Sequence, residues 1–394
     1  MLLQRHDAVL PQVAVCIDKS RTYGRKVLQG IADYAETVGR WSLHIDPEAT
    51  GSYSADWLDN WRGDGILAYV ESGATAKRLR ASKIPAVEVF GHHLDFKLPQ
   101  VGNDDDAIGV MAAEHLLSCR LKHFAFCGYQ KELWSERRRS GFERTIERQQ
   151  LPVRHFFSLR RGATLAVGQR DREQLMEWLG ALRKPVGIMA CSDRQGLRLL
   201  EACRRLKIAV PEEVAVIGVD NDEETCRLAD PPLSSVKDNG RKVGFEAARL
   251  LDQLMARPPQ ANALSPLLIP PLGVAVRRST EMTAVDDPLI AMTLRYIREN
   301  STAGLRVDDL LTRFNISRSA LYRRFRDALN KSPHEEILRV QLERAKRLLD
   351  ENDFTLEHIA ELSGFQHSEY LSVAFKRELG LTPGEYRRKL RLGN

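Results

Sequence analysis

Five side chains on one short C-terminal segment have the chemistry of base and phosphate recognition: Arg318, Ser319, Tyr322, Arg323 and Arg326. Leu321 and Phe325 lie four apart and turn inward, which leaves the five on the outer face of a helix. Arginine can grip guanine O6 and N7 with two hydrogen bonds, and Ser and Tyr can reach bases or phosphates. A later segment repeats the layout around Leu371 and Phe375, with Ser368, Glu369, Ser372, Val373 and Lys376 outward. There Glu369 can accept from a cytosine amino group and Val373 can pack on a thymine methyl. A third group of polar residues follows apolar runs: Asp18, Lys19, Ser20 and Arg21, then Ser192, Asp193 and Arg194, then Asp220 and Asn221. Such groups, held rigidly, suit a small molecule rich in hydroxyls. The plain alternatives are solvated helix surface for the first two sets and helix capping for the third.

These residues need elements to hold them. The strings LLTRFNISRSALYRRFRDALNKSP (310–333) and IAELSGFQHSEYLSVAFKRELGLTP (359–383) share one register, Leu321 with Leu371, Phe325 with Phe375 and Pro333 with Pro383. Each predicts two short helices about a tight turn, at Asn315 in one copy and Gly364 in the other, residue types that tolerate a left-handed backbone. That is the layout of a helix-turn-helix, whose second helix enters the DNA major groove. The units are expected over 307–327 and 356–378, joined by one long helix at 333–352. The arginines of the first outer helix predict that it dominates base affinity, with the second adding shape and apolar contacts.

Residues 10–283 alternate apolar runs with amphipathic stretches. Strands are expected at 13–17, 65–70, 86–90, 123–128, 187–192 and 214–220, and helices at 25–38, 105–119, 135–149, 172–182, 194–206 and 240–255. That alternation implies parallel sheets built of βαβ units, too many strands for one small sheet and therefore two α/β lobes. Ligands in such sheets bind beyond the carboxyl ends of the strands. A Pro-rich stretch at 257–271 closes this part, 279–288 reads as a linker, and Asp287 before Pro288 marks a helix start. The fold class is thus a two-lobed α/β core followed by an all-α domain at 284–394.

Composition narrows the function classes. The chain has 394 residues with a net charge of +6, from 59 basic and 53 acidic side chains. Residues 286–394 hold 19 Lys and Arg against 17 Asp and Glu, so total charge alone does not announce nucleic acid. Cys16, Cys119, Cys127, Cys191, Cys203 and Cys226 form no metal-ligand spacing and suit a reducing compartment. The N-terminus lacks a signal-peptide run and no stretch approaches a membrane span, so a cytoplasmic protein without membrane attachment is expected. His92, His93 and Asp95 lie close in sequence, but adjacent strand residues face opposite ways and predict no shared metal. The run Asp104, Asp105 and Asp106 suits the start of the next helix. No phosphate loop, nucleophile elbow or zinc motif is present, so neither enzyme activity nor a cofactor is expected.

Two resemblances cover nearly the whole chain. The dense pattern RRFRDALNKSP, RVQLERAKRLL and IAELSGFQHSEYLSVAFKRELGLTPGEYR resembles AraC-type DNA-binding domains, with Leu311 and Asn330 departing from the family's usual small residue and glycine. The strings AAEHLL, HFAFCG, RSGF, VAVIGVDND, PPLSSV and LIPPLGVAVRRST resemble the sugar-binding core of LacI/GalR-type repressors, related to periplasmic sugar-binding proteins. The fusion, with RTYGRKVLQGIADY near the start, resembles the xylose operon regulator family. This implies lobes of about 10–120 with 238–264 and 121–237 with 265–283. It implies sugar contacts at Arg138, Ser192, Asp193 and Asp220, with Tyr23 and Asp105 as further candidates. It also implies an operator DNA, a small sugar such as xylose, a homodimer and RNA polymerase as partners of a transcription activator. The remaining readings are a different sugar or metabolite, or a sugar-processing enzyme.

Overall fold

The computed structural model describes residues 10–39, 41–45, 60–70, 72–90, 96–159, 165–256, 265–281, 287–351 and 354–392. The His92, His93 and Asp95 group, residues 257–264 of the Pro-rich stretch and residues 282–286 of the expected linker lie outside them. The chain separates into two compact units, Met1–Met282 and Thr283–Asn394.

The first unit opens with β1 (Gln12–Cys16), α1 (Thr22–Tyr34), β2 (Ser42–Ile45), β3 (Gly65–Ala68), α2 (Gly73–Ser82) and β4 (Ala86–Glu88). It continues with β5 (Val101–Asn103), α3 (Asp105–Ser118), β6 (His123–Tyr129), α4 (Leu133–Glu147), β7 (Val153–Ser158) and α5 (Leu165–Ala181). Then come β8 (Val186–Ala190), α6 (Asp193–Leu206), β9 (Val214–Val219), α7 (Glu223–Leu228), β10 (Ser234–Lys237) and α8 (Gly240–Ala256), followed by β11 (Leu267–Ile269) and β12 (Gly273–Ala275).

One sheet runs β2-β1-β3-β4, all parallel, and a second runs β12-β10-β9-β8-β6-β7, parallel except for β12. The central strands β3, β8 and β9 are buried at every position, as sheets covered on both faces by helices require. A short parallel pair, β5 with β11, extends the first lobe. The chain crosses between lobes three times, after β5, after β10 and after β11.

The lobe boundary expected near residue 120 is corrected. Ile108, Ala112, Ala113 and Leu116 of α3 pack in one core with Phe124, Phe126, Phe142 and Val236, so α3 belongs to the second lobe. It crosses α4 at Gly109 and Gly141, where a Cβ would come within 2.1 Å of the carbonyl oxygens of Arg138 and Asp106. Only glycine permits this approach, and it brings the first residue of α3 to the middle of α4. The edge strands β2, β7, β11 and β12 and the short β5 and β10 were not foreseen, nor were α2 and α7. They are brief or only half buried, and leave little periodic signal.

The second unit holds α9 (Pro288–Asn300), α10 (Val307–Phe314), α11 (Arg318–Leu329), α12 (Pro333–Glu351), α13 (Leu356–Leu362), α14 (Ser368–Leu379) and α15 (Pro383–Leu392). Asp287 caps α9 by accepting from the Leu289 and Ile290 amides. Ser332 with Glu335 and Thr382 with Glu385 form matching capping boxes, each with proline at the first helical position. Asn315 and Gly364 take φ of 46° and 82° in the two turns, and Asn330 and Gly380 take 54° and 74° after the outer helices. Asn330 therefore keeps the left-handed turn of the glycine it replaces, and Leu311 packs half-buried against the first helical core. α12 serves both halves, with Ile337 in the first core and Leu338, Leu342, Ala345, Leu348 and Leu349 in the second. Among the described residues no helix is long and apolar enough to cross a membrane, and no His, Cys, Asp and Glu group could hold a metal ion.

Candidate functional site

The carboxyl ends of β1, β6, β8 and β9 converge on a cavity of about 340 Å³ between the lobes of the first unit. That volume suits one small molecule, at the low end of the roughly 300–1,000 Å³ range of ligand pockets. Ser20, Arg21, Thr22, Tyr23, Phe90 and Asn103, the last residue of β5, come from the first lobe. Tyr129, Glu132, Trp134, Arg138, Ser192, Asp193, Arg194, Leu197, Asp220, Asp222 and Thr225 come from the second.

Arg138 is the centre of the polar wall. Its Nε donates to Asp105 at 2.8 Å, its Nη1 to the Cys191 carbonyl at 2.6 Å and more weakly to Asp220 Oδ1 at 3.5 Å. The guanidinium lies 4.9 Å from the Trp134 ring centroid, and the Trp134 indole donates to Glu132. A fully buried Asp105 beside it fixes the orientation, since a charge in such a place must be paired. Asp220 is a quarter exposed, toward the cavity. Burial pushes its carboxyl up to about 8 despite Arg138, with Asp238 and Asp193 adding repulsion.

The expected ligand residues divide. Arg21, Tyr23, Arg138, Ser192, Asp193 and Asp220 line the cavity together, whereas Asp105 and Asn221 do not. Asp105 acts through Arg138. Asn221 turns its side chain to Arg277, accepting from Nη2 at 2.8 Å. Capping explains part of the rest: Ser192 accepts from the Gln195 amide at the start of α6. Both Asp193 oxygens are engaged, by the Ser235 hydroxyl at 2.6 Å and the Asp222 amide at 2.7 Å. The Tyr23 hydroxyl donates to the Val89 carbonyl, so the residue lines the cavity with its ring. Sequence reasoning missed Phe90, Asn103, Tyr129, Glu132, Trp134, Asp222 and Thr225. The strand-end rule applied to β6 as well would have found Tyr129, Glu132 and Trp134. The Asn103 side-chain oxygen is buried without a hydrogen-bond partner among the described residues.

In the second unit, Arg318, Ser319, Arg323 and Arg326 stand exposed on α11 and Tyr322 is half-buried, around a wholly buried Leu321 and Phe325. On α14, Glu369, Val373 and Lys376 are exposed and Ser368 and Ser372 half-buried, with Leu371 and Phe375 inside. Val373 is 63 % exposed, an apolar side chain set out on a polar face. The arginines are unequal. Arg318 pairs with Asp308 at 2.5 Å and Arg324 with Asp287 at 3.3 Å. Arg323 and Arg326 have no ion pair among the described residues.

The two helix-turn-helix units and the periplasmic-binding-protein-like core together define the class, a DNA-binding transcription regulator. Residues 12–101 match the XylR N-terminal domain, 113–280 the periplasmic binding protein-like domain and 310–389 the helix-turn-helix domain. The xylose operon regulatory protein of Haemophilus influenzae is 33% identical over 384 residues, 95% of this chain and 98% of that one. That of Escherichia coli K12 is 29% identical over 395 residues, 98% of each. The solved structure of a xylose-binding transcription activator superposes with a TM-score of 0.81 at 28% identity, covering 96% of this chain and 98% of that one. The chain belongs to the family of xylose operon regulatory proteins, with a C-terminal domain of the AraC type.

Proposed function

We propose that a small sugar, D-xylose first among those to test, occupies the cavity and controls how the C-terminal domain engages its operator. The observation that carries this is the wall of Arg138 and Asp220, fixed donor and acceptor side by side, facing the aromatic Trp134 and Phe90. Hydroxyls pair with the fixed polar groups while ring C–H faces pack on the aromatics. The names of the similar proteins support the choice of D-xylose, and the activator in the similar solved structure supports activation, which brings RNA polymerase in as a partner. On this reading the protein is a cytoplasmic homodimer, and its two domains engage direct or inverted half-sites with four recognition helices.

The DNA contacts proposed are Arg318, Ser319, Tyr322, Arg323 and Arg326 on α11 and Ser368, Glu369, Ser372 and Val373 on α14. Screening pentoses and hexoses by thermal shift tests the ligand. A stabilisation by D-xylose that is lost in Asp220→Ala, with DNA binding intact, is the expected result. Retained stabilisation in that variant contradicts the site, and stabilisation by another sugar reassigns the ligand.

A further inference from the structure

The loop after β9 is wound in a way few side chains take unaided. Asp220 and Asn221 hold φ of 102° and 45°, two left-handed non-glycine residues in succession. Asp220 and Asp222 line the cavity on either side of Asn221. The bonds that hold the loop in place include those from the Asp220 amide to the Val236 carbonyl, from the Asn221 amide to the Ser235 hydroxyl, and from Arg277 Nη2 to the Asn221 side chain. The first two come from the adjacent strand and belong to the lobe's own framework. The third comes from beyond β12, in the segment that leads out of the sensor core.

That segment is bound on both sides. Arg277 Nη1 donates to the Leu233 carbonyl at 2.9 Å, and the Ser234 hydroxyl both donates to the Arg277 carbonyl and accepts from its amide. Thr280 donates to Ser234 at 2.7 Å and shares a 2.7 Å hydrogen bond with His115 Nε2 of α3. Ser279 donates to the Val216 carbonyl inside β9. Ser234 and Ser279 are fully buried and Thr280 is 2% exposed, so a break in this chain of bonds is not made good by water. A segment needed merely to close the sheet could end on backbone bonds alone. Here a long cation reaches back past its own strand to a strained loop at the cavity.

We infer that Arg277 is a positioning residue that couples occupancy of the cavity to the segment leaving the sensor core, through Asn221 on one side and Ser234 and Thr280 on the other. This rests on the reading that the cavity takes the effector. A ligand that favours one setting of the Asp220–Asp222 loop then favours one setting of residues 277–280, and the two bindings are linked through it.

The test measures two affinities in the full-length protein. D-xylose binding is followed by calorimetry, and operator binding by fluorescence anisotropy with and without D-xylose. Arg277→Met keeps the stem and removes both donors. Thr280→Val keeps the shape and removes the hydroxyl, and Thr280→Ser restores it. In Arg277→Met and Thr280→Val, sugar affinity should stay within about threefold of wild type while the sugar-dependent change in operator affinity drops about fivefold or more, toward none. Thr280→Ser should respond as wild type, a rescue that a general loss of folding would not give. A full sugar response in Arg277→Met and Thr280→Val overturns the proposal, as does loss of sugar binding itself in Arg277→Met with Thr280→Ser normal. A wild type that binds D-xylose but whose operator affinity ignores it removes the coupling altogether. A wild type that binds no sugar sinks the sensor reading and this proposal with it.

Discussion

Asp220 is an acid held where its charge is unwelcome. Burial raises it to about 8, so the folded protein keeps a proton that the unfolded chain releases near pH 4. The folded form thus binds more protons between those values, and stability contributed by this group falls as pH rises from about 4 through about 8. The melting temperature of the ligand-free protein should decline from pH 6 to pH 8, and Asp220→Asn should flatten that decline. An unchanged slope in the variant would place the titration elsewhere. On the DNA side, Arg318 and Arg324 already have carboxylate partners in Asp308 and Asp287, whereas Arg323 has none among the described residues. Arg323→Ala should therefore cost about 1–3 kcal/mol of operator binding, the range of one bidentate base contact. Arg318→Ala should cost less, because DNA must first displace Asp308. Equal losses in an anisotropy titration would contradict that ranking.

At the scale of elements, the two helix-turn-helix units solve one problem with different residues. Gly364 turns at φ 82° with its Cα against the Ser301 carbonyl, where a Cβ would sit 2.1 Å from the oxygen. Gln341 of α12 donates to both the Ser301 and Gly364 carbonyls and locks the approach. Gly364→Ala should destabilise the C-terminal unit by about 1–3 kcal/mol, through strain and the clash together. Chemical denaturation checks this, and in it Asn315→Gly at the matching turn should be nearly neutral, since φ of 46° suits glycine at least as well. The turns, the Asp287 cap and the inward pairs Leu321 with Phe325 and Leu371 with Phe375 were legible in the sequence, because local residue types dictate them. Asn221 was not. Nothing near it in sequence says that Arg277 takes its side chain away from the cavity. The place of α3 was hidden for the same reason: glycines at 109 and 141 fit a close crossing only once both helices are in view.

In the whole molecule, a sensor core and a pair of DNA readers share one chain, and the cavity of the core is lined by residues of both lobes, with its polar wall on the second. A molecule that binds there touches residues of both lobes, so it favours the arrangement that holds them together. The arrangement makes the two functions reciprocal: if a sugar changes operator affinity by some factor, the operator must change sugar affinity by the same factor. The most direct test of the account is therefore operator affinity measured by anisotropy with and without saturating D-xylose at fixed salt, because phosphate contacts make such affinities salt-dependent. A change of about fivefold or more, matched by the operator's effect on D-xylose affinity, is the expected result. An operator affinity that stays the same with D-xylose and with every other sugar that binds would contradict it.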